Sequence, residues 1–228
     1  MANWDNVWPF TLGPSVEGGY QCDERDSGNW TKGEVGMGVL IGTNGGISAP
    51  ILVEEYGEDA NKEKMQSLTK EEIVSLAKKH FYDKMLGDKL PAGVDLMVFD
   101  MNYNTGSEGT KVIQDICFVT KDGVLGEKTL AKFNELLPHY ISVTNGTDFS
   151  IKLLQSKLGV RPDGTFGPVT TAALRAYPGD SSSLSMCCNL YARFNHFYTT
   201  LRTFAIYGNG WVTRNENRLR AAFDLVKP

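Results

Sequence analysis

A stretch of this chain occurs twice without a gap. Lys111–Ala131 aligns on Lys152–Ala172, and Lys, Gln, Val, Asp-Gly, Gly, Thr and Ala recur in place. Each copy reads as a helix, an Asp-Gly turn, a glycine, and a second helix capped near its threonine (Thr129, Thr170). Asp-Gly makes a tight reversal because glycine accepts backbone angles that other residues avoid. Two copies indicate a duplication, since a solenoid needs three or more repeats to bury its faces.

The rest of the chain is less regular. Residues 1–20 read as an apolar lead-in and a helix that ends near Gly18-Gly19, starting or kinking at Pro14. Residues 21–49 are rich in Gly, Thr and Asn, and the alternation from Val35 to Thr43 predicts short twisted strands in a hairpin or small sheet. Helical patterning begins at Pro50. Thr69 is an N-cap with Glu72 at the capping-box position. Ile73, Leu76, Ala77 and Phe81 then mark one apolar face that Gly87 ends. Leu90–Tyr103 is a more apolar helix. Pro178–Ser183 is a connector, Asn189–Ile206 a helix, Tyr207–Trp211 a turn, and Asn215–Val226 a last helix.

With 228 residues, 41% of them hydrophobic and 22% charged, the chain has ordinary globular composition, enough for one large or two small domains. Its net charge of −4 and the absence of basic clusters argue against nucleic acid and against an anionic membrane surface. No apolar run approaches the ~20 residues that span a bilayer. The N-terminus lacks a basic and an apolar leader segment, so the expectation is synthesis in the cytoplasm without a signal peptide. Cys22, Cys117, Cys187 and Cys188 form no Cys-x-x-Cys pair, and His80, His139 and His196 fit no zinc spacing. Reduced, packed thiols are expected, with no metal and no cofactor. Cys22 is a nucleophile only if some distant base reaches it.

The chemistry-bearing stretch is Glu17–Trp30. Glu17-Gly18-Gly19-Tyr20 is followed by Asp26 in a Gly-rich turn. Glycosidic cleavage uses two carboxyl groups: one protonates the leaving oxygen, the other activates water or attacks the sugar. The glycines let a polysaccharide approach the backbone. The alternative is a helix end followed by a solvated turn.

Four blocks carry a resemblance to a known family. They are Glu17–Tyr20 with Asp26–Trp30, Gly42–Ala49, Val98–Gly106, and the Gln/Asp-Gly/Gly-x-x-Thr unit followed by Gly210-Trp211 and Arg214. The chain resembles the glycoside hydrolase family 108 muramidases with their C-terminal peptidoglycan-binding-like region. The resemblance implies an α+β, mostly helical, lysozyme-like fold with a small β-hairpin lobe. Residues 1–106 would be the catalytic region. Residues 107–228 would complete the body, with a duplicated unit inserted at about 145–183. It implies hydrolysis of the β-1,4 bond between N-acetylmuramic acid and N-acetylglucosamine in bacterial peptidoglycan. The setting would be the periplasm, cell wall or a virion, reached through a holin, virion or secretion machinery.

The same resemblance assigns roles. Glu17 matches the catalytic glutamate and would be the general acid. Asp26 would activate water, or form an Asx turn, or both; Asp23 and Glu24 are weaker candidates. Thr43 would hold the water, with Thr31 as the alternative. Val16, Tyr20 and Trp30 would give Glu17 the apolar setting that keeps an acid protonated, and Trp30 or Tyr103 would stack on sugar in place of an aromatic that Gly45 lacks. Asp100 and Asn104 would line the cleft. Trp211 and Arg214 read as structural. Inversion is expected, with the carboxyls ~6.5–9.5 Å apart. The other readings are a lytic transglycosylase, or a non-catalytic wall-binding or virion structural protein.

Overall fold

The computed structural model describes residues 3–13, 18–140, 143 and 146–227. Pro14, Val16 and Glu17, and any helix over 14–17, lie outside the described residues. The chain divides into two compact units, Trp8–Lys84 and Met1–Val7 with Met85–Pro228. The division falls within α1 (Trp4–Leu12), which carries Pro9 inside it. Gly18 and Gly19 are not helical.

In the Trp8–Lys84 unit, β1 (Tyr20–Gln21) pairs antiparallel with β2 (Thr43–Asn44), placing Tyr20 opposite Asn44 and Gln21 opposite Thr43. The alternating segment between them is not a strand. Gly33, Gly36 and Gly38 have positive φ, so the chain turns repeatedly and leaves Val35, Met37 and Val39 exposed. The hairpin is narrowed to a bridge between Trp30 and Leu40. Next come α2 (Ala49–Tyr56), begun by Pro50, and α3 (Lys62–Ser67), capped by Asn61. Then comes α4 (Lys70–Ala77). Thr69 and Glu72 form the expected capping box, the Thr69 N–H donating to Glu72 Oε2 at 2.8 Å. A wider turn, Lys78–Tyr82, follows α4 and buries His80 and Tyr82. The helix thus stops before Gly87, which belongs to a separate short turn, Gly87–Lys89. Ile41, Ile47, Leu52, Met65, Ile73 and Leu76 form this unit's core. Asn44 ties β2 to α3, its Nδ2 donating to the Met65 carbonyl at 2.8 Å.

The other unit is helical: α5 (Val94–Thr105), α6 (Glu108–Ile116), α7 (Glu127–Leu136), α8 (Asp148–Lys157), α9 (Pro168–Arg175), α10 (Ser181–Thr200) and α11 (Phe204–Leu225). Val94 to Asn102 of α5 are buried on every face, as a helix at the centre of a packed unit must be. α6, α10 and α11 pack around it. The sequence predicts a turn at Tyr207–Trp211, but those residues lie inside α11. Trp211 gathers the Tyr198, Phe204 and Tyr207 rings at centroid distances of 5.7, 6.4 and 5.9 Å. This packing outweighs the cost of ~1 kcal/mol for each of Gly208 and Gly210 in a helix.

The duplication is structural as well as sequential. Gln114 Nε2 donates to Asp122 Oδ1 and the Val124 carbonyl at 2.6 and 3.0 Å, while Gln114 Oε1 accepts from Gly123 N at 2.9 Å. Gln155 does the same with Asp163, Thr165 and Gly164 at 2.7, 3.1 and 2.9 Å. The second helix of each copy is not capped by its threonine. Gly126 and Gly167 occupy the N-caps, and Thr129 and Thr170 are buried one turn inside. Thr170 accepts from Gln155 at 3.0 Å, so its hydroxyl serves the turn instead of the cap.

Candidate active site

The β1–β2 register builds a polar cluster. Because Gln21 stands opposite Thr43, its Nε2 donates to Thr43 Oγ1 at 2.7 Å. The same nitrogen lies 3.1 Å from Asp26 Oδ2 and 3.1 Å from Asn29 Oδ1. Gln21 Oε1 accepts from Asn29 Nδ2 at 2.9 Å, which fixes the orientation of both amides. Asn29 is fully buried. Its carbonyl accepts from the N–H groups of Ile41 and Gly42, so it pins the returning strand against the turn. Gly42 has φ +85°, and a Cβ there would meet the Gln21 carbonyl at 2.5 Å and the Tyr20 ring at 2.6 Å. Only glycine permits that approach.

Asp26 is both an Asx-turn residue and an exposed carboxylate. Oδ1 accepts from Gly28 N at 2.9 Å and caps the turn Ser27–Asn29. Oδ2 faces the Gln21 amide. Its ligands here are a neutral amide and a backbone N–H, not a cation. Asp23 differs. Arg25 grips both of its oxygens, at 2.9 and 2.7 Å. Those hydrogen bonds hold the Asp23 carboxyl down at about 2, which makes it a weak base and no proton donor near neutrality. Glu24 is exposed, and its carbonyl accepts from Trp30 Nε1 at 2.9 Å, orienting that indole.

The two threonines have different surroundings. Thr43 shares the Gln21 donor with Asp26. Thr31 Oγ1 accepts from Val39 N at 2.9 Å and clamps the loop. Tyr20 sits with its ring beside Gly42. Its hydroxyl is buried without a hydrogen-bond partner among the described residues. Burial, with Cys22 beside it, pushes the phenol up to about 12, so it stays protonated. Gly45 cannot carry an aromatic: φ is +55°, and a Cβ would meet Ile73 at 2.8 Å.

The remaining candidates belong to α5, in the other unit. Asp100 is fully buried; its Oδ2 accepts from Arg214 Nε at 3.1 Å and Arg218 Nε at 2.7 Å, and its Oδ1 from Arg214 Nη2 at 2.5 Å. That is the surroundings of a structural carboxylate, not of one lining an open cleft. Arg214 has the structural part expected of it. Tyr103 packs on Phe99 at 5.6 Å, and burial raises its phenol. Asn104 is exposed, with Nδ2 donating to the Asp100 carbonyl at 2.6 Å. Glu17, and with it the separation of the two carboxyls, lies outside the described residues. Sequence reading passed over Gln21 and Asn29, because neutral amides carry no acid–base signature. The part of Gln21 becomes visible only through its pairing with Thr43 across the two strands.

All four cysteines are free thiols, three of them buried. Among the described residues no group of three or more His, Cys, Asp and Glu side chains is placed to hold a metal ion. Among the described residues no helix is long and apolar enough to cross a membrane.

Residues 13–106 match the family described as Glycosyl hydrolase 108. The matched span holds the whole Asp26–Gln21–Thr43 cluster and α5, and it supports a glycoside hydrolase. No curated protein matches the chain. Among solved structures, one titled "Structure of Brucella abortus SagA" is 23% identical with a TM-score of 0.50, and the likeness covers 99% of this chain and 96% of that one. At that identity the likeness concerns the fold alone.

Proposed function

We propose that the chain is a peptidoglycan hydrolase, an N-acetylmuramidase that cleaves the β-1,4 bond between N-acetylmuramic acid and N-acetylglucosamine. One observation carries this reading. Asp26 and Thr43 meet at the Gln21 amide, inside the span that matches Glycosyl hydrolase 108. Glu17 would protonate the glycosidic oxygen as its bond to the anomeric carbon breaks. A water held by Thr43 would lose its proton to Asp26 and attack that carbon from the opposite face, with inversion. The Gln21 amide orients Asp26 and Thr43 toward one another, whereas Arg25 grips both oxygens of Asp23. Trp30, oriented through Glu24, offers a face for sugar stacking. The setting we propose is phage-type host lysis or wall penetration, in the periplasm and wall or from a virion, with a holin, virion or secretion machinery giving access.

The test is digestion of purified peptidoglycan by the wild type, Glu17→Gln and Asp26→Asn, with products read by mass spectrometry. Reducing muramic acid ends from the wild type alone are the expected result. 1,6-Anhydro ends would replace the hydrolase with a transglycosylase. No product from the wild type would leave a wall-binding or virion structural protein.

A further inference from the structure

The Gln21 amide has more acceptors around it than hydrogens to give. A carboxamide nitrogen carries two hydrogens. Three oxygens nevertheless lie within bonding distance of Gln21 Nε2: Asn29 Oδ1 and Asp26 Oδ2, each at 3.1 Å, and Thr43 Oγ1 at 2.7 Å. The rest of the cluster decides which of them must share. Gln21 Oε1 accepts from Asp23 N at 3.1 Å and from Asn29 Nδ2 at 2.9 Å. Two donors on that oxygen hold the amide in one orientation, with its nitrogen toward Asp26 and Thr43. Asn29 is held as firmly, because Nδ2 also donates to the Asp23 carbonyl at 2.8 Å. Turning either amide over would set oxygen against oxygen.

Gln21 and Asn29 therefore form a reciprocal ring, each amide donating to the oxygen of the other. On each nitrogen such a ring uses the hydrogen that lies on the same side as the amide's own oxygen. For Gln21 that hydrogen is committed to Asn29. The other hydrogen points away from the ring, and it alone is left for Asp26 and Thr43. The two side chains thus compete for one hydrogen, and Thr43 has the shorter bond. Asn29 is fully buried whereas Gln21 is exposed, so the pair carries a fixed orientation from the interior out to Asp26 and Thr43.

We propose that Asn29 is a positioning residue for hydrolysis: by taking one Gln21 hydrogen it leaves Asp26 and Thr43 a single one to share, and that sharing sets the direction of the hydrogen bonds to the attacking water. Thr43 Oγ1 accepts from the amide, so its own hydrogen is given to the water oxygen. Asp26 Oδ2, with the longer bond, keeps a lone pair for a hydrogen of the same water. Held through one lone pair and one O–H, the water turns its other lone pair to the anomeric carbon. As the new C–O bond forms, that O–H bond breaks and its proton goes to Asp26. The glycosidic C–O bond breaks with its electron pair on the leaving oxygen, which takes the proton of Glu17. A neutral carboxyl is a poorer acceptor than a carboxylate, so the shared hydrogen then passes to Thr43. The water chemistry rests on the muramidase reading; the single shared hydrogen does not.

The test joins NMR of the side-chain amides in the nitrogen-15-labelled full chain to hydrolysis of purified peptidoglycan. Loss of two resonances in Gln21→Glu identifies the Gln21 hydrogens. The expected result is that one of them moves in both Asp26→Asn and Thr43→Val while its partner holds, and that the partner moves in Asn29→Ala. In hydrolysis, Asn29→Ala should lower kcat about tenfold per folded molecule with KM within about twofold of the wild type, because a misplaced water costs rate and not substrate binding. Asn29 is buried, so Gln21→Glu, at an exposed position, is the second variant. It keeps an acceptor for Asn29 but has no hydrogen to give, and should lower kcat in the same way. Both Gln21 hydrogens moving alike in Asp26→Asn, or full kcat in Gln21→Glu, would overturn the proposal and leave the muramidase reading standing. A wild type that releases no product while the NMR pattern holds would overturn the muramidase reading and leave the shared hydrogen.

Discussion

Phe118 is a non-glycine residue in the left-handed region, with φ +55°. It follows the C-cap of α6, where the Val119 N–H bonds the Gln114 carbonyl and the Phe118 N–H bonds the Asp115 carbonyl. The second copy has the same two bonds, but glycine stands there: Gly159, φ +72°. A side chain in that region costs ~1–2 kcal/mol, and Phe118, 91% exposed, recovers little of it by packing. Phe118→Gly should therefore stabilise the chain by about 0.5–1 kcal/mol after glycine's extra unfolded-state entropy. The check is a higher urea midpoint with an unchanged slope. A pair of substitutions separates the roles of the two threonine settings. Gln21→Leu removes the donor shared by Asp26 and Thr43, and should cut turnover about 10- to 100-fold through misplacement alone. Thr31→Val removes only the clamp on Val39, and should cost about 1 kcal/mol of stability with turnover nearly unchanged. Reversal of the two outcomes in hydrolysis and unfolding assays would move the catalytic threonine to Thr31. Sequence marks Asp26, Thr43 and Thr31 as candidates, because acid–base chemistry is written in residue type. It did not supply Gln21, whose part arises only from strand register.

At the scale of elements, local chemistry was legible and tertiary override was not. The capping box at Thr69 and the two Asp-Gly turns involve residues within about ten positions of each other, so their bonds follow from spacing. Two segments went the other way. Val35 to Val39 alternates like a strand, yet glycines at positive φ bend it through turns and expose its apolar side chains. Tyr207–Trp211 looks like a turn, yet an aromatic cluster assembled from α10 and α11 holds it helical. The two glycines of that segment differ in what they permit. A Cβ at Gly210 would meet nothing within 4 Å, whereas one at Gly208 would meet the Phe204 ring at 2.7 Å. Gly210→Ala should thus stabilise α11 by about 0.5–1 kcal/mol. Gly208→Ala should be destabilising by about 1–3 kcal/mol, as overpacking generally is. Thermal unfolding of the two variants decides this, and equal gains from both would mean that Phe204 moves freely.

Across the molecule, the helical unit is organised around a charge that its surroundings cannot easily lose. Asp100 on α5 meets Arg214 and Arg218 of α11, and Arg218 reaches onward to Asn215 at 2.8 Å and to the Tyr198 hydroxyl of α10 at 3.2 Å. Asp100 and Arg218 are fully buried. One carboxylate therefore registers α5 against α10 and α11, a consecutive pair far along the chain from it. Pairing such charges barely repays their desolvation, but removing one partner strands the others. Asp100→Asn should cost about 3–5 kcal/mol, a large share of the ~5–15 kcal/mol that holds most domains together. Replacing Asp100, Arg214 and Arg218 together by Leu, Leu and Met should cost less than that single change, because no charge is left uncompensated. Urea unfolding of both variants tests the ordering; a single variant milder than the triple would mean that water already solvates the cluster. The same experiment bears on function. If Asp100 only organises the helices, the folded fraction of Asp100→Asn keeps the wild-type KM for peptidoglycan and loses activity in proportion to unfolding. A raised KM at full folding would instead return Asp100 to the substrate cleft.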